Sequence, residues 1–282
     1  MMHAKLTRIY ETISSFHGAV VAFSGGVDST LVLKISKDVL GAHAVAVTVN
    51  SSLAVPGELE RAGEIAALLG ARHVVITGKA LEDPEFRLNP PERCYLCKRH
   101  VYAAMGELAR ETGAEVVLDG ANADDTGDFR PGLRAAREMG VRSPLLEAGL
   151  TKEEVRRLAR ELELPNWNQP AQPCLATRIP YGELITEEKL QQIARAEQFL
   201  SGLGFSSVRV RHHGPVARLE LLPEEICRIS DVQLREEINR ELKRLGFRYV
   251  SVDLAGLRSG SLNDLLAPPV TKEVWKKYLI DG

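Results

Sequence analysis

The sequence predicts an α/β protein in which a doubly wound parallel sheet is followed by a smaller C-terminal α+β domain. Three observations carry this. Strand-like and helix-like segments alternate over residues 18–162, the chain order of a parallel sheet covered by helices. The strand-like runs are continuously apolar, as in Ala19-Val20-Val21 and His43 to Asn50 (HAVAVTVN), which marks strands buried on both faces. Over residues 165–182 the pattern stops, with four prolines and no helical period. The domain boundary belongs there, dividing the chain into 1–172 and 173–282.

Taken in order, residues 4–16 read as a leading helix, and strand 19–21 runs into Ser24-Gly25-Gly26-Val27-Asp28-Ser29. Apolar residues recur at helical spacing from Thr30 to Leu40. His43 to Asn50 is the second strand, Pro56 to Leu69 a helix ended by Gly70, and Arg72 to Thr77 the third strand. Residues 81–93, with Pro84, Pro90 and Pro91, read as a loop into Cys94-Tyr95-Leu96-Cys97 and a helix from about Lys98 to Thr112. Glu115 to Leu118 is the fourth strand and opens into the acidic loop Asp119 to Asp125. Such a loop at a strand's C-terminal end is either a ligand site or an Asx-rich turn. Thr151 to Leu162 is a helix with Thr151 and Glu154 spaced as a capping box.

Past the boundary come a helix from about Glu187 to Leu203 and strands Ser207 to Arg211 and Ala217 to Leu221. A helix at about 231–245, a strand at Tyr249 to Leu254 and a mixed tail complete the chain.

The glycine loop is the chemical centre of the first domain. Gly25 and Gly26 let backbone N–H groups turn inward, and the first-turn amides of the next helix form an anion site. Ser24 and Ser29 add hydroxyl donors, and Asp28 offers a carboxylate to a metal bridging phosphate oxygens. No GK[ST] follows, so this is not the Walker pattern. A Gly-Gly turn capped by Asp28 is the plainer alternative.

Composition narrows the field. With 36 Lys and Arg against 38 Asp and Glu, the net charge of −2 argues against wholesale binding to nucleic acid. No long apolar run or signal-peptide core is seen, so neither a transmembrane helix nor export is expected, and the protein reads as cytoplasmic. Its thiols, Cys94, Cys97, Cys174 and Cys227, then point to metal binding, catalysis or burial rather than disulfides. Cys227 reads as a buried thiol on an apolar helix face.

Arg209 and Arg211 alternate along a strand and emerge on one face. With Arg258 from the turn Gly256 to Gly260 they form a clamp suited to phosphate, and Glu220 on the next strand orients it. A solvated strand face is the alternative. His212 and His213 read as surface or turn residues.

Together these motifs carry a resemblance. Ser24 to Ser29 matches the SGGxDS loop of the PP-loop ATP pyrophosphatases. Arg93-Cys94-Tyr95-Leu96-Cys97-Lys98, Pro173 to Gly182 (PCLATRIPYG) and Arg248 to Leu254 (RYVSVDL) resemble the LarE family of ATP-dependent sulfur transferases of nickel-pincer nucleotide synthesis. The resemblance covers about residues 15–265.

It implies that a carboxylate of pyridinium-3,5-dicarboxylate mononucleotide is adenylated by ATP. Ser24 to Ser29 would hold the departing pyrophosphate, with Asp28 and Asp125 on Mg²⁺. It places Arg178 with the ATP group; aimed at the Cys174 sulfur, Arg178 would also lower that thiol's pKa from near 8.5. In single-cysteine members the residue matching Cys174 attacks the acyl-adenylate and gives up its sulfur, leaving dehydroalanine. In three-cysteine members, thiols matching Cys94, Cys97 and Cys174 hold a [4Fe–4S] cluster that delivers sulfide. Arginines matching Arg209, Arg211 and Arg258 bind an anion at a subunit interface, so a homo-oligomer is implied, with a hexamer as one form, and partner enzymes of the pathway are compatible with it.

Other chemistries fit parts of the pattern. Zinc could take His100 with the cysteines, although Cys94 would have to curl back onto the helix carrying Cys97 and His100. A C-x-x-C redox pair, a persulfide relay and plain structural thiols remain open. tRNA thiolation and an amide-forming synthetase share the loop, but no basic RNA-binding domain or zinc ribbon and no glutaminase-like segment is evident; a nucleotide sensor would bind ATP yet release no pyrophosphate with the pyridinium substrate.

Overall fold

The structure, a computed structural model, describes residues 2–127 and 131–258. The chain divides into two compact units, Met1–Phe86 with Pro91–Gln172, and Arg87–Pro90 with Pro173–Gly282. The end of the Gly256 to Gly260 turn, the tail and the last part of the family resemblance lie outside the described residues.

Up to residue 161 the elements are α1 (Met2–Ser14), β1 (Ala19–Ala22), α2 (Val27–Leu40), β2 (Ala44–Asn50), α3 (Glu58–Leu68), β3 (Arg72–Thr77) and α4 (Pro84–Arg87). They continue with α5 (Arg93–Thr112), β4 (Val116–Leu118), α6 (Pro131–Glu138), α7 (Pro144–Glu147) and α8 (Lys152–Glu161). The four strands run parallel in the order β3-β2-β1-β4, so the fold is the doubly wound α/β sheet expected. Val20, Val21, Ala46 and Val47 are fully buried because helices cover both faces. One face packs Ile9, Ile13, Leu31, Ile35 and Leu158, and the other Tyr102, Met105 and Ala135. From β3 at one edge the chain returns to place β4 beside β1. The crevice at this reversal, beyond the strands' C-terminal ends, is where open parallel sheets bind ligands.

Three short helices were not legible. α4 and α7 have four residues each and α6 eight, too few to display a helical period. α5 begins at Arg93 rather than Lys98, so Cys94 and Cys97 lie in its first turns instead of a preceding loop.

The second unit holds α9 (Glu187–Gly202), β5 (Val208–His213), β6 (Val216–Leu221), α10 (Val232–Arg244) and β7 (Tyr249–Val252). β5 pairs antiparallel with β6, and β6 parallel with β7. Val208, Val210, Leu219 and Leu221 join Leu200, Ile238 and Phe247 in its core, which leaves the alternate residues of β5 and β6 on the opposite face. The strip Arg87–Pro90 belongs here because the buried Asn89 donates through Nδ2 to the Ile179 and Pro180 carbonyls at 3.1 and 2.7 Å. Ile185 N–H donates in turn to the Arg87 carbonyl.

Two local expectations need correction. Cys227 is exposed in a short 3-10 segment, Pro223–Ser230, and not on a buried helix face. His212 is a buried strand residue stacked near Phe247, because the β5 pleat turns it to the core side with Val208 and Val210. Among the described residues no helix is long and apolar enough to cross a membrane.

Candidate active site

In the first unit the glycine loop leaves β1 and turns sharply into α2. Gly25 adopts φ +71°, and a Cβ there would stand 3.1 Å from the Ala62 Cα, so the turn needs glycine both for its backbone angle and for its contact with α3. Hydroxyls set the loop's shape. Ser29 Oγ donates to the Gly26 carbonyl at 3.0 Å and lies 3.3 Å from Ser24 Oγ, which accepts from Gly26 N–H at 3.3 Å. Asn166 fastens the loop from beneath, donating to the Gly25 carbonyl at 2.7 Å and to Thr30 Oγ1 at 2.9 Å. The first turn of α2 has no side-chain cap. Its leading amides therefore remain to meet an anion, reinforced by the helix dipole.

The loop after β4 forms the facing wall. Gly120 is pressed onto the first turn of α2, where an added Cβ would stand 2.8 Å from Ser29 N. Asn122 Nδ2 donates to Asp28 Oδ1 at 3.2 Å, and Asp125 Oδ2 accepts from Asn122 N–H at 3.0 Å. Lys152, the first residue of α8, donates from Nζ to Asp28 Oδ2. Ser24, Gly25, Gly26, Asp28, Ser29 and Asp125, distant in sequence, thus lie around one crevice. Asp28 and Asp125 offer one or two carboxylates without a cage, which is the donor set Mg²⁺ uses when phosphates complete its shell. Beyond the ends of β2 and β3, a cavity of about 260 Å³ is lined by Asn50, Ser51, Thr77 and Gly78 among others.

Below this wall the buried Asp119 accepts from Tyr102 Oη at 2.8 Å and Ser143 Oγ at 2.6 Å. Lys98 Nζ reaches Tyr102 Oη at 2.9 Å. Burial and the Asp119 charge keep the Tyr102 hydroxyl protonated. This network joins the loop after β4 to α5, the helix that carries Cys94 and Cys97. The two thiols are one helical turn apart, Cys94 exposed and Cys97 half-buried, so they share a face. His100, the fourth zinc ligand considered above, is held by Asp83 Oδ2 at 2.8 Å, and this bond lowers the Asp83 pKa.

In the second unit Cys174, half-buried, opens a 3-10 turn (Leu175–Arg178). Its carbonyl accepts from Thr177 Oγ1 at 2.8 Å and from Arg178 Nη1 at 3.3 Å. Arg178 is buried and grips Glu197 through Nε and Nη2 at 2.8 and 2.9 Å, while Nη1 also reaches the Pro173 carbonyl at 2.6 Å. The bonds found for its guanidinium fasten the Cys174 turn within its own unit. Glu197 Oε1 accepts from Val210 N–H at 2.9 Å, which docks the cysteine turn on β5.

Arg209, Arg211, Arg218 and Glu220 share the non-core face of β5 and β6, with Arg209 opposite Glu220 and Arg211 opposite Arg218. Arg211 is buried, donating to the Thr177 carbonyl and, at 2.8 Å, to Glu220 Oε2. Fully buried Glu220 also accepts from Arg218 at 3.0 Å, and Arg218 pairs with Asp253 at 3.3 Å. Arg209 donates to the carbonyl of the exposed Arg258 at 3.3 Å. Burial, with the charges of Arg211 and Arg178, pushes the Arg209 pKa down, so a bound anion would be favoured here. The Cys174 turn and the arginine face are thus one bonded assembly.

Lys152, Asn122, Asn166, Glu197 and Arg218 were not found by sequence reasoning. Only Lys152 carried a signal: a cation in a helix's first turn opposes the macrodipole. Among the described residues no group of three or more His, Cys, Asp or Glu is gathered to hold a metal ion.

A family model described as NAD synthase matches residues 4–81. An uncharacterized protein of Synechocystis sp. is 45% identical over 267 residues, 94% of this chain and 99% of the relative. The pyridinium-3,5-bisthiocarboxylic acid mononucleotide synthase of Lactiplantibacillus plantarum is 43% identical over 264 residues, 93% of this chain and 95% of its own. A glutamine-hydrolyzing GMP synthase of Aeropyrum pernix is 33% identical over 197 residues, 64% of this chain and 38% of the relative.

Proposed function

The chain belongs to the LarE family of PP-loop sulfurtransferases, enzymes that convert a carboxylate to a thiocarboxylate, and from that premise we propose that it adenylates pyridinium-3,5-dicarboxylate mononucleotide before sulfur transfer. A carboxylate oxygen attacks the α-phosphorus of ATP, the α–β phosphoanhydride bond breaks, and pyrophosphate leaves. Asp28 and Asp125 would hold magnesium, which would supply charge neutralisation at the phosphate oxygens. The observation that carries this step is the uncapped first turn of α2 beside Ser24 and Ser29, a donor array matched to the leaving pyrophosphate. The substrate's phosphate is assigned to Arg209, Arg211 and Arg258, with Glu220 orienting Arg211.

For the sulfur step we assign Cys94, Cys97 and Cys174 to a [4Fe–4S] cluster. Their thiol chemistry suits it, and the shared face of Cys94 and Cys97 supplies two donors one turn apart. When bound, the cluster would supply sulfide to the activated carboxyl without consuming a side chain. A second reading needs only Cys174, and its fixed carbonyl and its place in the unit that carries the arginine face support it. There the thiolate attacks the acyl-adenylate and AMP leaves. Loss of the α-proton with cleavage of the Cβ–S bond then leaves dehydroalanine on the protein and a thiocarboxylate on the substrate. The enzyme is assigned to the cytoplasm and to a homo-oligomer.

Two measurements test this. Anaerobically reconstituted protein should carry about four irons per chain, lost in Cys94→Ser and Cys97→Ser. Iron-free protein overturns the cluster. Intact mass after turnover should then be unchanged, whereas loss of H₂S at Cys174 marks the sacrificial route.

A further inference from the structure

The carbonyl of Gly25 is held from outside its own loop. Asn166 Nδ2 donates to it at 2.7 Å and to Thr30 Oγ1 at 2.9 Å. The Gly25 carbonyl can only accept, which fixes the amide nitrogen on that side. Both Nδ2 hydrogens are thereby used, while Oδ1 is buried and accepts no hydrogen bond among the described residues. An unpaired buried acceptor lowers stability, so the two donors, rather than stability alone, account for an asparagine here. Its backbone is anchored on both sides. Glu163 takes φ +54° at the end of α8. The N–H of buried Leu164 donates to the Ala159 carbonyl at 2.8 Å, and Gln169 N–H donates to the Asn166 carbonyl at 3.0 Å.

The loop needs such a hold. A trans peptide is planar with its C=O and N–H on opposite sides, so holding the Gly25 carbonyl beneath the loop turns the Gly26 N–H toward the crevice. There it rests on Ser24 Oγ at 3.3 Å, a long bond that an anion can replace. Rotating that peptide by half a turn would aim a carbonyl into the crevice instead. The rotation changes ψ of Gly25 and φ of Gly26, now −77°, and carries the latter to about +100°, which glycine tolerates and other residues do not. The Gly26 carbonyl, by contrast, is held by α2 itself, through Thr30 N–H at 2.9 Å and Ser29 Oγ at 3.0 Å.

We propose that Asn166 is the positioning residue of the glycine loop, holding the Gly25–Gly26 peptide in the one orientation that offers an N–H to the departing pyrophosphate. The inference rests on the assignment of Ser24 to Ser29 to pyrophosphate, and it adds no ligand to that site. It makes the donor array preformed, so that no binding energy goes into turning the peptide. Without Asn166 the two orientations interconvert, and only the fraction with its N–H inward binds.

The test is binding of inorganic pyrophosphate with Mg²⁺, read by calorimetry. Asn166→Leu should bind roughly tenfold more weakly than wild type, and ATP–pyrophosphate exchange should fall with it. Gly26→Ala confines that residue to negative φ, and its Cβ meets Ser24 Oγ alone, at 3.3 Å. In that background Asn166→Leu should therefore cost no more than about threefold. In wild type the Gly26 amide proton should move downfield in ¹⁵N–¹H spectra when pyrophosphate is added. Far-UV circular dichroism melts establish that each variant is folded, and where Asn166→Leu is not, the wild-type resonance decides. A merely structural asparagine would lower the melting temperature and leave the affinity of folded protein unchanged. That outcome overturns the inference while leaving the loop's assignment standing, as does an equal cost in both backgrounds or an unmoved Gly26 resonance. Wild type that binds no pyrophosphate overturns both.

Discussion

Replacement of Gly120 by alanine tests the geometry of the crevice directly. The new Cβ would meet Ser29 N at 2.8 Å, Asp28 C at 3.0 Å and Asp28 Cβ at 3.1 Å. Two of these neighbours are main-chain atoms and cannot rotate away. Restoring ordinary contact near 3.4 Å needs an opening of about 0.6 Å between the β4 loop and the first turn of α2. Overpacking of this kind costs about 1–3 kcal/mol. At about 2–4 °C per kcal/mol for a domain of this size, the melting temperature should fall by roughly 2–12 °C. The displaced elements are the two walls of the proposed ATP site, and misplacement near 1 Å costs about 100-fold in rate. ATP–pyrophosphate exchange in Gly120→Ala should therefore fall roughly tenfold or more. Gly106, inside α5 with no atom within 4 Å of a built Cβ, is the control, and its alanine variant should gain about 0.5–1 kcal/mol. If Gly120→Ala melts and exchanges like wild type, the close approach of these walls is not what shapes the site.

Two further predictions follow from the second unit. Arg178→Lys keeps the charge but cannot bridge Glu197 and the Cys174 turn together, so sulfur transfer should fall at least about tenfold while ATP–pyrophosphate exchange stays within about twofold; equal losses in both assays would favour a role for Arg178 at the ATP site instead. Burial lowers the pKa of His212 and, with Arg218 nearby, that of His213. Below the ordinary histidine pKa near 6.5 the unfolded chain then takes up protons that the folded state refuses, so stability is full above that pH and declines as pH falls toward the folded values. Glu58, raised by burial, acts in the opposite sense, and the decisive measurement is the change of slope in melts between about pH 7.5 and 5.5. Replacing His212 by Gln should flatten the decline, and an unaltered slope would refute it.

The doubly wound sheet was legible because each piece of its signature is local. Continuous valine and alanine runs make doubly buried strands, Thr151 and Glu154 announce a capping box that forms in both directions, and two glycines after a strand mark the anion loop. The start of α5 was misplaced by five residues because Pro90 and Pro91 resemble a loop as much as a helix entry. The partners of the candidate residues were not legible. Lys152 meets Asp28 across 124 positions, Asn166 meets Gly25 across 141, and Asn89 draws Arg87–Pro90 into the second unit across about 90. The strand spacing put Arg211 on one face with Arg209, but its bonds to Glu220 and the Thr177 carbonyl were not legible.

By itself the sequence determined the fold class, the glycine loop that follows β1 and the set of thiols the chain carries, since these follow from residue type and short-range spacing. Only the tertiary structure decided that Asp28 is held by a lysine and that the Cys174 turn is bolted to the arginine face. Hydrogen bonds and ion pairs depend on distances of about 3 Å, and between residues a hundred positions apart those distances exist only once the chain has folded.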